Sequence, residues 1–112
     1  MARKVSVTKT LTIAAAAALS DEFKMEGYSE ILIFMPAAWT AASIGFHVTD
    51  ASGGTFVPLF DADGDEIETT AAVDQAYSIT TVSGPYAKLW SQTAGTGVAQ
   101  VAERSITVVL IS

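Results

Sequence analysis

Val5-Ser6-Val7-Thr8-Lys9-Thr10-Leu11-Thr12-Ile13 repeats with a period of two. Every odd position is apolar except Lys9, and every even one carries a hydroxyl. Successive side chains of a strand point to opposite faces, so this is the pattern of a strand with one face covered and the other in water.

The same reading extends along the chain. Val, Ile and Thr together number 31 against six Leu. Branching at Cβ costs rotamer freedom in a helix and suits a pleated surface, so this ratio favours sheet. Ile31-Leu32-Ile33-Phe34-Met35 and Ser105 to Ile111 are apolar on both faces. Such strands need cover on two sides, from a second sheet or from a neighbouring subunit. Ile44, Phe46 and Val48 alternate with Gly45, His47 and Thr49, and Ser52-Gly53-Gly54 signals the reversal into a return strand from Phe56 to Phe60. Pro58 lacks an N–H and is expected at an edge or a bulge. A turn at Asp61 to Asp65 leads into Glu66 to Thr70; Tyr77 and Ile79 mark another strand, Gly84-Pro85 a turn, and Tyr86 to Ser91 a further strand. Gln92 to Gly97 reads as a small-residue loop, and Asp21, Glu22, Lys24 and Glu26 as a solvated stretch ending in a turn at Gly27. The five alanines from Ala14 are the one helix candidate, with a strand or an irregular link as the alternative. Eight or nine short strands at this spacing imply an all-β antiparallel sandwich or jelly-roll-like barrel. Residues 1–13 form an N-terminal strand or arm and residues 14–112 a single domain.

Composition narrows the function classes. The chain has 112 residues, the size of one domain. Half of its residues are apolar, but nineteen of those are alanines, and only 16% are charged, against about 25% in a typical soluble domain. A small protein so poor in charge can hide apolar surface against other subunits, which points to a homo-oligomer. The formal net charge is −6, and the basic residues at the start (Arg3, Lys4 and Lys9) make only a short patch, so direct nucleic-acid binding is not expected. Without cysteine there is no disulfide, thiolate metal site or cysteine nucleophile. No segment has the form of a signal peptide, and no apolar run reaches membrane-spanning length.

Tested for chemistry, the constellations yield little. Asp61-Ala62-Asp63-Gly64-Asp65 alternates carboxylates and makes Asp61, Asp63 and Asp65 weak calcium candidates, although glycine precedes the third acid instead of following it as in an EF-hand. The competing reading is a hairpin turn reversing at Asp63-Gly64. His47 is the single histidine and is expected to point away from the face of Ile44, Phe46 and Val48, as a surface or subunit-contact residue. The glycine-rich stretches lack the lysine and spacing of a phosphate loop. Trp39 and Trp90, with Tyr28, Tyr77 and Tyr86, are candidates for a sugar-stacking platform or an interface anchor, with core packing favoured for Trp90. Gln100 and Arg104 are read as an internal polar tie or a partner contact. No cofactor and no catalytic residue is assigned, and the chain is expected not to be an enzyme.

Several local patterns combine into a resemblance: Met35-Pro36-Ala37-Ala38-Trp39-Thr40-Ala41-Ala42, Ile44-Gly45-Phe46, Gly53-Gly54-Thr55-Phe56, Pro58-Leu59-Phe60-Asp61, Tyr86-Ala87-Lys88-Leu89, Gln100, and Arg104 with Ile106-Thr107-Val108. From residue 28 to 112 the chain resembles small β-sandwich proteins encoded in the structural gene clusters of tailed bacteriophages and prophages. The resemblance implies a late-expressed virion structural protein, assembled in the host cytoplasm. A capsid decoration or cement subunit is the first placement, a neck or tail ring subunit or a carbohydrate-binding sandwich for host attachment the alternatives. It further implies the major capsid protein or another virion protein as partner, a trimer as the assembly, and no membrane. In that setting Arg3, Lys4, Val5, Val7, Lys9 and Trp39 are the interface candidates, with the Val5 to Ile13 segment adding a strand to a neighbour's sheet edge.

Overall fold

The computed structural model describes residues 6–80 and 85–112. Ten strands follow one another: β1 (Ser6–Ile13), β2 (Phe23–Lys24), β3 (Glu30–Phe34), β4 (Ser43–Thr49), β5 (Val57–Pro58), β6 (Glu68–Thr70), β7 (Ala76–Ile79), β8 (Tyr86–Thr93), β9 (Thr96–Gly97) and β10 (Arg104–Ile111). There is no helix among the described residues. All pairings are antiparallel, in two sheets. A four-stranded sheet runs β1-β10-β3-β7; a six-stranded one runs β2-β8-β4-β5, with β6 also pairing β4 and β9 pairing β8. This is the β-sandwich that the alternation predicts, with one or two more short strands than counted from the sequence.

The core lies between the sheets and follows the period of two. Leu11 and Ile13 of β1, Ile31 and Ile33 of β3, and Ile106, Val108 and Leu110 of β10 face inward from one sheet. Phe23, Ile44, Phe46, Ala87 and Leu89 meet them from the other. Register makes this consistent: Val108 sits opposite Ile33, and Phe46 opposite Leu89, so apolar residues share a face across neighbouring strands.

Four local features that the sequence left open or read otherwise have physical causes. The alanine run is the irregular link that stood as the alternative to a helix. Its backbone groups are taken elsewhere: the Ala16 N–H donates to the Gln100 carbonyl at 2.7 Å, the Ser91 N–H to Ala18, and the Gln100 N–H to Ala17. Five alanines cannot repay helix nucleation alone, and these long-range bonds win. The stretch from Asp21 to Glu26 is not merely solvated. Phe23 and Met25 alternate with its charges and are buried at 3% and 1% exposure, which makes it an edge strand. Gln92 to Gly97 is a tight hairpin, not a loop: Gln92 and Thr93 pair with Gly97 and Thr96. Its two central residues, Ala94 and Gly95, both have positive φ (49° and 82°), as the turn that matches strand twist requires. Finally, within one chain the second sheet covers one face of the doubly apolar strands, and on the other face Phe34 is 43% exposed. Pro58 sits in a two-residue strand at the sheet edge, as expected. Gly84 lies outside the described residues.

Candidate functional site

The N-terminal candidates divide. Arg3, Lys4 and Val5 lie outside the described residues. Ser6–Ile13 pairs with β10 of its own chain over eight residues, from Ser6 opposite Ile111 to Ile13 opposite Arg104. Val7 packs on the core cluster, and Leu11 and Ile13 belong to it. This segment is a strand of the sandwich rather than a free arm, so removing residues 1–13 strips two core side chains. Lys9 occupies a core-side position, opposite Val108, yet is exposed because β1 is the edge of its sheet. A lysine on the inner side of an edge strand discourages another strand from adding there.

Trp39 is half-buried, packs against the core, and donates its indole N–H to the Ala42 carbonyl at 3.1 Å. A ring already committed to its own loop makes a poor anchor or sugar platform. Tyr28 and Tyr77 also pack on the core. The Asp61 loop is the turn reading. Asp61 Oδ1 accepts the N–H groups of Asp63 and Asp65, both at 2.9 Å, and the Asp61 N–H donates to the Asp65 carbonyl at 2.7 Å. Gly64 takes the positive φ of 84° at the reversal. Asp61 thus serves its own backbone, and among the described residues no group of three His, Cys, Asp or Glu is arranged to hold a metal ion. Glu22 does similar work elsewhere. The Ser52 hydroxyl and the Gly53 N–H donate to its carboxylate, hold its pKa below the usual value, and pin the turn between β4 and β5.

Gln100 and Arg104 are the internal tie. Fully buried, Gln100 accepts from the Thr40 N–H at 2.8 Å and from Arg104 Nε at 3.2 Å. Its amide donates to the Thr40 carbonyl (3.1 Å) and to the Ser91 hydroxyl (2.9 Å). One side chain thus joins the 37–42 loop to β8 and to the start of β10.

His47 points away from the core side of β4, as its parity predicts, but not into solvent. Its ring meets Trp90 edge-on with centroids 4.4 Å apart. Trp90 is only 8% exposed although it stands on the outward face, because the β8–β9 hairpin and the alanine link close over it. A Cβ added at Gly97 falls 3.3 Å from Trp90 Nε1 and 3.5 Å from the Ala18 methyl. Gln92 beside it donates to Glu68 and accepts the Gly95 N–H, so this cover is bonded as well as packed. The backbone of β4 passes close here, since a Cβ at Gly45 falls 3.3 Å from Gln92 Nε2. Both ring nitrogens of His47 are buried without a hydrogen-bond partner, as is Glu66 Oε2.

Burial is the main influence on His47 and lowers its pKa; the Phe56 backbone opposes this, and Lys88, its cross-strand neighbour, lowers it further. The unfolded chain therefore binds a proton more readily than the fold does. Stability conferred by the neutral ring is complete above the ordinary value of 6.5 and is lost as pH falls through that value toward the lower folded pKa. Glu66 runs oppositely: burial, then the charge of Glu68, raises its pKa, so its contribution is lost as pH rises above 4.5. His47→Phe separates the two. The variant is expected to gain about 1 kcal/mol at pH 7.5, from removing unpartnered nitrogens, and to lose the melting-temperature decline that sets in as pH falls below 6.5. An unchanged slope in thermal melts would assign it to other groups.

The outward face of the four-stranded sheet is of a different kind. Alternation and register set out its rows. Thr8, Val109, Leu32 and Ser78 lie side by side across β1, β10, β3 and β7, and Thr10, Thr107, Phe34 and Ala76 form the next row. Ser6, Ile111 and Glu30 stand on one flank, Thr12 and Ser105 on the other. Leu32, Val109 and Ile111 are half-buried and Phe34 is exposed. The one ionisable side chain in these rows is Glu30, at a corner, where it accepts the Ser78 hydroxyl at 2.8 Å. The open side of the doubly apolar strands is thus an uncharged surface of hydroxyl and apolar groups.

No family model matches the chain, and no match is found among curated proteins. Among solved structures, the crystal structure of the SPBc2 prophage-derived protein YomS is similar. The match has a TM-score of 0.65 at 12% sequence identity and covers 100% of this chain and 97% of that one. At such identity the likeness shows a shared fold, and it spans both sheets, including the residues before 28.

Proposed function

We propose that this chain is a non-enzymatic structural subunit of a tailed-phage particle, docking on the head as a capsid decoration or cement protein. The observation that carries the reading is the uncharged outward face of the β1-β10-β3-β7 sheet. A soluble domain of net charge −6 that leaves Phe34 and its neighbours open on one sheet, with no charge among them but a corner carboxylate, has a surface suited to burial against protein. A fold shared from end to end with a prophage-derived protein supports the same setting. The carbohydrate-binding alternative is the weaker one, as it depends on a free Trp39 ring and that indole is half-buried and bonded.

The test is cryo-EM of purified particles with quantitative mass spectrometry. The expected result is this chain at fixed stoichiometry on the head lattice. Particles that lack the protein would end the virion reading, and density confined to the neck or tail would end the decoration reading.

A further inference from the structure

We propose that the outward face of the four-stranded sheet is a homotypic interface, on which a second copy of this chain packs sheet against sheet about a two-fold axis. This takes the same face that carries the docking reading and gives it a second copy of this chain, not the head lattice, as its occupant; the oligomeric state of the isolated chain tests it apart from the particle.

Three observations favour a second copy as the occupant. The first is charge. With twelve acidic residues against six basic ones, most approaches of two copies bring carboxylates together, and that repulsion opposes association. The rows through Thr8, Val109, Leu32 and Thr10, Thr107, Phe34 carry no charge, so here two copies meet without it. A face with no charge also offers nothing to select a charged foreign partner.

The second is self-complementarity. A two-fold interface applies the same patch twice, so its polar groups must satisfy copies of themselves. Hydroxyls both donate and accept, whereas a carboxylate row only accepts and a lysine row only donates. A threonine-rich face with an apolar centre meets that condition.

The third is size and place. Strands of eight, eight, five and four residues project roughly 400 Å² at about 3.3 Å per residue and about 4.8 Å between strands. Side-chain relief brings two such faces to about 1,000 Å² of buried surface, the lower bound for a specific interface. A weak, concentration-dependent dimer follows. Packing is by face and not by edge, because Lys9 guards the β1 edge.

Sedimentation equilibrium of the full chain, from about 1 to about 300 µM, tests this. The wild type is expected to show a monomer–dimer equilibrium. Thr107→Glu, near the centre of the face, is expected to raise Kd at least about tenfold while the circular dichroism stays that of the folded chain. An equimolar mixture of Thr107→Glu and Thr107→Lys is expected to associate more tightly than either alone, since opposite charges then meet across the axis. If Thr107→Glu does not fold, Thr10→Glu on the exposed edge strand replaces it. A wild type that stays monomeric at the top concentration overturns the proposal, and so does a dimer indifferent to both substitutions. Particles that carry the protein while the isolated chain is monomeric overturn the homotypic interface and leave the virion role standing.

Discussion

Phe46→Ala is expected to lose about 3–5 kcal/mol, a large part of the roughly 5–15 kcal/mol that holds a domain of this size together. Phe46 heads the fully buried side chains by volume and has no exposed surface. It stands on β4, a strand flanked by β8 and by the short β5 and β6, and faces inward opposite Leu89. The fully buried inward side chains of the other sheet's strands are β-branched or leucine, with short reach, so little of that layer can swing in to fill the void. The penalty is therefore lost burial plus a cavity. Phe46→Leu keeps most of the volume and is expected to cost less than half as much. Denaturant titration measures both. A loss under about 1 kcal/mol for the alanine variant would show that the two sheets do not pack through this ring.

Gln100→Ala is expected to cost about 2–4 kcal/mol by a different route. The side chain removed is fully buried and serves four groups: the Thr40 N–H and carbonyl, the Ser91 hydroxyl and Arg104 Nε. Ser91 keeps the Val98 carbonyl, so one of the four retains a partner; Arg104 stays tied to Thr40 Oγ1 through Nη2, but its Nε is left without Gln100. The Thr40 amide and carbonyl lose theirs as well, and an unmade buried bond costs more than a made one contributes. The damage is expected to be local as well as global. Amide exchange at Thr40 and Val101, whose N–H groups bond within this network, is expected to quicken more than exchange in β3 or β10. Uniform acceleration across the chain would mean that Gln100 adds only to overall stability and does not join the loop to the sheets.

The contrast between these residues shows how far each was legible. Phe46 was readable from three alternating residues, Ile44, Phe46 and Val48, because inward orientation in a strand is a local property of period two. Gln100 was legible only as one of a pair with Arg104, an internal tie or a partner contact, without its partners or its burial. What it ties was not readable, because the loop it holds, at Thr40, lies sixty positions away. Phe23 and Met25 lie between these cases. Their alternation with Lys24 and Glu26 was a strand signal, but four charges in six residues outweighed it. Trp90 and His47 were placed on strands correctly, yet their cover comes from the alanine link and the β8–β9 hairpin, whose positions depend on non-local bonds.

The candidate surface divides in the same way. That β3 and β10 are apolar on both sides was plain from Ile31 to Met35 and from Ser105 to Ile111. Which side stays open was not, since that follows from which strands lie beside them and which sheet lies across. The metal candidates Asp61, Asp63 and Asp65 had the right residue type without the right geometry. A carboxylate next to a glycine turn finds its own backbone amides within two to four residues, and Asp61 took them.

By itself, the amino-acid order determined that this protein is all-β, where most of its strands and turns fall, and that it is too poor in charge to cover itself evenly. Those are properties of neighbours two to four residues apart, set by side-chain alternation and backbone preference. Only the tertiary structure decided that the first strand closes onto the last, that Gln100 is buried, and that one sheet turns an uncharged face outward. Each of those depends on pairing between distant segments, and the free energy of such pairing is shared among strands that no single stretch of sequence contains.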